Sequence, residues 1–200
     1  MRPALLFCVV SMICDHAMSA ESETQALITN VIAAAGGKEK LLTRFRMQEL
    51  FNAGVERKSP GTSRTSIVEP PKYWWVGTRE RGKEPAKTPT WAWTLGALTN
   101  ADSHFARIPD GKENETPLTG LRITGSIEPP LDMYFDKQTH RLVRIDWSND
   151  IYVFSDWRKY DGTVYPAKCI MYKRKTRKPW FHHEIMKLER LNELPEDLQR

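Results

Sequence analysis

Four short apolar runs follow one another in residues 131–173, which read LDMYFDKQTHRLVRIDWSNDIYVFSDWRKYDGTVYPAKCIMYK. Each run is rich in the aromatic and β-branched residues that strands prefer, and polar segments typical of turns separate the runs. Asp161 and Gly162 form a dipeptide that is typical of a two-residue type I′ hairpin turn. Because only antiparallel neighbours accept connections this short, the region predicts an antiparallel meander.

Similar runs extend the predicted sheet on both sides of this region. We expect further strands over residues 45–51, 64–69, 72–78, 90–98 and 181–191. The charged segment 79–89 is predicted to be a solvated loop, and a short helix is expected around residues 102–107. A meander of about eight strands has to curl into a barrel or half-barrel, or split into a sandwich.

One amphipathic helix is predicted near the N-terminus. Ser22 and Gln25 have the spacing of a capping box, so we expect the helix to begin at Ser22. Apolar residues with helical spacing then form one buried face, namely Leu27, Ile28, Val31, Ile32 and Ala35. Gly36 and Gly37 end the helix, because glycine readily takes a positive φ. A second short helix is expected over residues 38–43, and the fold class is mainly β with an N-terminal helix (α+β).

Residues 1–20 are predicted to be a secretory signal peptide. Arg2 precedes an apolar run over residues 4–14, and small residues suited to cleavage follow it. Cleavage is expected after Ser19 or Ala20. The run is too short to span a membrane, which takes about 20 apolar residues. The sequence therefore predicts export, to the periplasm or the cell envelope.

There are two alternatives to a cleaved signal, namely a buried N-terminal element and a lipoprotein signal. Lipidation needs a small residue before the cysteine, and neither Cys8 nor Cys14 follows one. Cleavage removes both of these cysteines, which leaves Cys169 alone, and we expect it to be a buried apolar side chain. Residues 21–200 are predicted to form a single domain.

The sequence contains no strong motif for catalysis or metal binding. It lacks a G-x-S-x-G nucleophile turn, a phosphate-binding glycine loop and an H-E-x-x-H pair. His182 and His183 are adjacent in a predicted strand, so they point to opposite faces and cannot share one ion. We therefore predict a non-catalytic protein without a metal or cofactor. A hydrolase is the weaker alternative, and it would require Asp156, Asp161 and a histidine to meet in one cleft.

A basic segment follows the quoted region and consists of Lys173, Arg174, Lys175, Arg177 and Lys178. The export signal argues against nucleic acid as a partner. A solvated hairpin turn is the simpler interpretation of this segment. The functional alternative is contact with an anionic membrane surface, where each basic residue contributes on the order of 1 kcal/mol. The net charge of +5 permits such attraction without specifying a partner.

The seven tryptophans lie in or beside predicted strands. Trp74 and Trp75 are adjacent, so they point to opposite faces of a strand, and both faces need a cover. One helix covers a single face only in part. We therefore predict a curled sheet around an apolar, ligand-binding cavity with the helix as a plug or lid. The residues expected to line it, with the first three on one strand face, are Trp91, Trp93, Leu95, Met133, Phe135, Val143, Ile145 and Trp147.

Three stretches share the pattern of one known family. Residues 36–41, GGKEKL, follow an amphipathic helix and match a G-G-x-E-K-L opening. Residues 152–166, YVFSDWRKYDGTVYP, match a strand, a D-G hairpin and an x-x-P strand, and residues 191–194 match a closing segment. These residues resemble the LolA-like superfamily of outer-membrane lipoprotein-sorting proteins. The resemblance implies a strongly curved antiparallel half-barrel, with helices in its concave apolar mouth, that binds a lipid, an acyl chain or a lipoprotein in the periplasm.

The sequence thus predicts an exported, non-catalytic protein that holds an apolar ligand, either a lipid, an acyl chain or a lipoprotein. The alternative is an envelope interaction or structural module of the same fold that has no small ligand. A filled interior together with an exposed aromatic patch would favour this alternative.

Overall fold

The computed structural model describes residues 8–56 and 61–198, with side chains from residue 21 onward. Its helical elements are α1 (Cys8–Ala34), α2 (Lys87–Trp93) and the short 3-10 turns Lys38–Lys40, Gly96–Thr99 and Glu196–Leu198. Within these described ranges, none of the helices is both long enough and apolar enough to cross a membrane.

The strands of the described chain form one antiparallel sheet of 11 strands in the order β4-β3-β2-β1-β11-β10-β9-β8-β7-β6-β5. Their bounds are β1 (Phe45–Ala53), β2 (Thr62–Glu69), β3 (Tyr73–Val76), β4 (Arg79–Glu80), β5 (His104–Glu113), β6 (Thr116–Thr124), β7 (Leu131–Asp136), β8 (Leu142–Trp147), β9 (Asp150–Tyr160), β10 (Thr163–Lys173) and β11 (Pro179–Arg190). The sheet is open and curved, which is consistent with a half-barrel. The predicted fold class is therefore confirmed.

The sheet consists of two meanders that are joined in its middle. Strands β1 to β4 form the first meander, and β5 to β11 form the second. The first and last strands, β1 and β11, pair along the whole length of β1, from Phe45 opposite Arg190 to Ala53 opposite Phe181. The chain passes from one edge of the sheet to the other between β4 and β5, and helix α2 lies in this connection.

The meander predicted over residues 131–173 is confirmed strand for strand. Asp161 and Gly162 both have a positive φ, 46° and 78°, as a type I′ turn requires. This turn joins β9 to β10, whose register runs from Tyr160 opposite Thr163 to Asp150 opposite Lys173. The turn chemistry and the apolar alternation therefore specify the same register.

The strand predicted over residues 90–98 is wrong. Helix α2 and the 3-10 turn Gly96–Thr99 occupy this segment instead, and the predicted loop 79–89 contains β4 and the start of α2. Trp91, Ala92 and Trp93 are all buried, so the last turn of the short helix is apolar on every side. Three consecutive buried residues do not reveal a helical period, and the alternating tryptophans resembled a strand.

The short helix predicted around residues 102–107 is also wrong, because this segment begins the edge strand β5. Its side chains are almost all exposed or half-buried, so the apolar alternation of a strand is absent. Pro109 lies within β5, where an edge strand tolerates the missing backbone donor. The pairing with β6 is irregular there, between Ile108 and Gly111.

The N-terminal helix is longer than its capping signal predicted. Helix α1 is continuous from Cys8 to Ala34, so Ser22 lies inside it and not at its start, because the preceding apolar segment continues the helix. Gly36 and Gly37 end it with positive φ values, as expected. The second helix predicted over residues 38–43 is reduced to the 3-10 turn Lys38–Lys40.

Candidate functional site

One face of the sheet packs against both helices, and we call it the inner face. Its buried apolar side chains come from both meanders and form one cluster with residues of α1 and α2. The largest strand contributions to this cluster are Phe45, Met47, Trp74, Leu121, Ile123, Met133, Phe135, Ile145, Phe154, Tyr165, Ile185 and Leu188. The inner face is therefore a continuous apolar surface that helices cover.

Residues 87–99, here called the strap, supply one part of this cover. Nε1 of Trp93 donates a hydrogen bond of 3.1 Å to the carbonyl oxygen of Pro166 in β10. The Trp93 ring also meets Phe45 of β1 and Tyr165 of β10 edge to face, with centroid distances of 5.9 Å and 6.2 Å. A single side chain thus fixes the strap to two strands in the middle of the sheet.

The strap bends sharply after α2. Leu95 has a left-handed conformation with a φ of 61°, which is costly for a residue other than glycine. Gly96 follows it, and a Cβ atom at that position would lie 2.6 Å from the Trp91 ring. Ser103 then donates to the carbonyl oxygen of Ala97 over 2.7 Å. The strap is therefore an ordered segment whose bend is held by close packing.

The structure brings most of the predicted lining residues together. Of the eight, all except Val143 belong to the inner-face cluster or pack against it. Trp91, Trp93 and Leu95 do not share a strand face; they cover the sheet from α2 and the bend after it. Val143 is buried outside the cluster, because a register shift between β7 and β8 places Leu142 opposite Phe135.

A small pocket remains where α1 ends against the sheet. Its volume is about 30 Å³, whereas pockets for drug-sized ligands have roughly 300–1,000 Å³. Val31 and Leu42 line it from the N-terminal elements, Leu95 lines it from the strap, and His140 and Trp157 line it from the second meander. The pocket in this closed arrangement holds a small group at most, and an acyl chain does not fit.

A buried polar network interrupts the apolar inner face between β1 and β2. Glu49 is only 2% exposed and accepts hydrogen bonds from Arg64 Nε at 2.8 Å and from Ser66 Oγ at 2.6 Å. Nε2 of His183 lies 2.8 Å from its other carboxylate oxygen. Trp74 donates in turn to Ser66 over 3.1 Å. Every oxygen of the buried carboxylate therefore has a partner.

The pKa of Glu49 reflects two opposing effects. Burial raises the pKa, but the hydrogen bonds from His183, Arg64 and Ser66 outweigh it, so the pKa lies below its ordinary value of 4.5. The Arg64 guanidinium also lies 5.3 Å from the centre of the Phe51 ring. This network was not predicted from the sequence, although a glutamate at an inward position of a predicted strand is a signal for one.

The residues that a hydrolase would require, Asp156 and Asp161, do not come together in one cleft. Asp156 forms ion pairs with Arg158 and Lys168, at 2.7 Å and 3.3 Å, and its pKa is lowered chiefly by the Arg158 hydrogen bond. Asp161 pairs with Arg190 at 2.7 Å instead. Among the residues that the structure describes, no group of three or more histidine, cysteine or acidic side chains is arranged to hold a metal ion.

The basic segment forms the tip between β10 and β11. Lys173 forms an ion pair with Asp150 at 2.8 Å, and its ammonium lies 3.9 Å from the centre of the Trp180 ring. The side chains of the other basic residues of the tip are exposed, namely Arg174, Lys175, Arg177 and Lys178. The tip therefore presents cationic groups to solvent.

No family model matches the chain, and no curated protein matches it in sequence. Solved structures do match. A LolA superfamily protein from Nitrosomonas europaea has a TM-score of 0.52 at 10% identity, over 88% of this chain and 96% of that chain. A putative outer membrane lipoprotein-sorting protein domain from Vibrio parahaemolyticus has a TM-score of 0.54 at 10% identity, over 88% and 95% of the two chains.

A DUF1329 family protein from Desulfovibrio piger has a TM-score of 0.50 at 11% identity, over 86% of this chain and 95% of that chain. These matches cover nearly the whole of each neighbour. At such low identity the likeness concerns the fold. The curved sheet of 11 strands with helices on its inner face is therefore a LolA-like fold, as the sequence resemblance predicted.

Proposed function

We propose that this protein is an exported, non-catalytic carrier that binds an acyl chain or similar apolar ligand against the inner face of its sheet. The observation that carries the proposal is the cover of that face. A sheet face this large and apolar is closed by α1 and by a tethered strap that one side chain, Trp93, fixes to the sheet. A cover made of a separate segment can leave without breaking the strand pairing.

Ligand entry requires the strap to move, because the pocket of about 30 Å³ is far too small for an acyl chain. The closed structure is then the ligand-free state. Displacing Trp91, Trp93 and Leu95 exposes apolar area, and a ligand that buries it again gains roughly 25 cal/mol per Å². The strap residues and the ligand would compete for the same surface, which makes binding reversible.

The test is a variant that weakens the attachment of the strap. Trp93→Phe removes the donor to Pro166, worth about 1 kcal/mol, so the open fraction rises and the apparent affinity for decanol increases roughly fivefold. Trp180→Phe is the matched control, since it also removes an indole donor, here to Asp150, away from the strap. Affinity would be measured by displacement of an uncharged fluorescent naphthylamine dye.

Unchanged or weaker binding in Trp93→Phe would contradict a strap that opens. Native mass spectrometry of the protein purified from the cell envelope gives an independent test. A co-purifying acyl species supports the carrier. Its repeated absence, combined with no dye displacement by any apolar compound, rejects it.

The second candidate is an envelope interaction module without a small ligand, and the filled interior favours it. An aromatic cluster on β1 and β11 supports this candidate, because Phe51, Trp180 and Phe181 are only half-buried. Phe181 stacks on Phe51 with a centroid distance of 5.6 Å. Loss of a co-purifying protein in Phe181→Ser, with no ligand detected in the wild type, would establish this alternative.

A further inference from the structure

The small pocket beside the end of α1 contains two polar atoms without a hydrogen-bond partner. Nδ1 of His140 and Nε1 of Trp157 are both buried, both belong to residues that line the pocket, and neither has a partner among the described residues. Buried polar atoms are almost always hydrogen-bonded, so two exceptions in one pocket point to a polar group that binds between them.

The remaining hydrogen-bonding capacity of the pocket specifies an acceptor. The indole nitrogen of Trp157 can only donate, and His140 donates from Nδ1 in one tautomer. The carbonyl oxygen of Ala35, where α1 ends, already accepts from Val164 N at 2.8 Å and from Thr163 Oγ1 at 3.2 Å. Trp157 Nε1 is therefore an unmatched donor and His140 Nδ1 is a second one in that tautomer, so the matching ligand atom is an oxygen with free lone pairs.

Charge favours an anionic acceptor. Arg141 also lines the pocket, and its guanidinium carbon lies 5.9 Å from the centre of the Trp157 ring. A negative group between Trp157 and Arg141 would accept charge-assisted hydrogen bonds, which are stronger than neutral ones.

The rest of the lining is apolar and leads to the strap. Val31, Leu41 and Leu42 form the wall on the side of the N-terminal elements, and Trp93 and Leu95 form the wall on the side of the strap. A volume of about 30 Å³ holds one or two water molecules, which is about the size of a carboxylate group. A ligand bound here would therefore place a small anionic head in the pocket and an apolar tail beneath the strap.

We propose that this pocket binds the carboxylate of a free fatty acid, with Trp157, His140 and Arg141 as its recognition groups. The inference rests on the proposed function, because the acyl tail takes the inner face that the strap exposes. It adds a preference for the ionised acid over neutral apolar compounds of the same length, a preference that burial of the tail alone would not produce.

The experiment compares decanoate with decanol by dye displacement from the full chain at about pH 8, where the acid is ionised. We expect decanoate to bind about tenfold more tightly than decanol. Trp157→Phe removes the indole donor and should reduce this ratio severalfold, because the carboxylate loses a stronger, charge-assisted hydrogen bond than the alcohol does. Trp180→Phe, which removes an indole donor outside the pocket, should keep the ratio.

Arg141→Gln provides a second variant, because this side chain is exposed and its replacement leaves the core intact. It should also reduce the ratio, and raising the salt concentration should reduce it further in the wild type. Equal affinities for decanoate and decanol, or a ratio that Trp157→Phe and Arg141→Gln leave unchanged, would overturn the inference and leave the carrier standing. Displacement by neither compound would reject the carrier and the inference together.

Discussion

At the residue scale, Gly36 explains why two motifs that are far apart in the sequence pack against each other. It ends α1 with a φ of 110°, and a Cβ atom at this position would collide with the carbonyl oxygen of Gly162. Val164 N donates to the carbonyl oxygen of Ala35 over 2.8 Å at the same place. The glycine pair after α1 and the D-G hairpin turn are thus in direct contact with each other.

We predict that Gly36→Ala lowers the free energy of unfolding by about 3 kcal/mol, because the methyl group meets backbone and the φ is unfavourable for alanine. Gly37→Ala is the matched control. Gly37 also has a positive φ, 94°, but no atom lies within 4 Å of its hypothetical Cβ, so the loss should be roughly 1 kcal/mol. Urea denaturation measures both, and equal losses would refute the close contact.

A second prediction concerns the buried carboxylate of Glu49. Glu49→Gln removes the buried carboxylate that partners His183 and Arg64, and Arg64 keeps only its longer ion pair of 3.5 Å with Glu84, so the free energy of unfolding should fall by about 3 kcal/mol at neutral pH. Because the pKa of Glu49 is lower in the folded state, its ionisation stabilises the fold above about pH 4.5, and this contribution disappears as the pH falls through the folded-state value. The variant should therefore lose part of the acid sensitivity of the wild type.

Glu189→Gln is the control for this prediction, since Glu189 pairs with Arg46 on the same two strands but is 42% exposed. An exposed ion pair contributes about 0–1 kcal/mol, so this variant should keep nearly all of the stability. Thermal unfolding measured between pH 3 and pH 7 compares the two. Parallel pH profiles for wild type and Glu49→Gln would show that the carboxylate titrates normally.

At the scale of elements, the sequence predicts the helices and strands whose local sequence signals agree with their tertiary environment. Strands β7 to β10 combine apolar alternation with turn residues such as Asp161 and Gly162, and each was predicted nearly to its ends. The strap fails this condition because the last turn of its helix is buried on all sides. Seven of the eight predicted lining residues nevertheless lie in the inner-face cluster or pack against it, since bulky apolar groups such as Trp93 are buried whichever element carries them, and their contact with a ligand stays a prediction. The pocket residues His140 and Trp157 were not predicted, because tertiary packing alone brings them to the same pocket.

The tip between β10 and β11 gives a prediction for one element. Exchanging its four exposed basic residues, Arg174, Lys175, Arg177 and Lys178, for glutamine should weaken binding to vesicles that contain phosphatidylglycerol. At on the order of 1 kcal/mol for each charge near the surface, the loss should be roughly 100-fold or more. Co-sedimentation with vesicles measures the binding.

A variant with the same change in charge elsewhere serves as the control for the tip. It replaces four exposed lysines outside the tip, Lys38, Lys83, Lys159 and Lys187. Only the tip variant should lose binding if the tip itself meets the membrane. Equal losses would assign the attraction to net charge, and no binding by the wild type would remove membrane contact altogether.

At the scale of the whole molecule, the predicted cleavage can be tested against the core. The first α1 side chains that are buried in the described structure are Thr24 and Leu27, which lie after the predicted sites at Ser19 and Ala20. We therefore expect the exported protein to begin at residue 20 or 21 and to unfold within a few degrees of the full chain. N-terminal sequencing and calorimetry measure this, and an intact Met1 on the purified protein would refute it.

The pairing of β1 with β11 in the middle of the sheet has a consequence for how the chain folds. Until Pro179–Arg190 takes its place between β10 and β1, the folding chain has two separate half-sheets, each with an unpaired strand at the seam. A chain that ended before Pro179 would keep most of its strands but lack the one that joins the two half-sheets. Proteases of the cell would be expected to clear such a product.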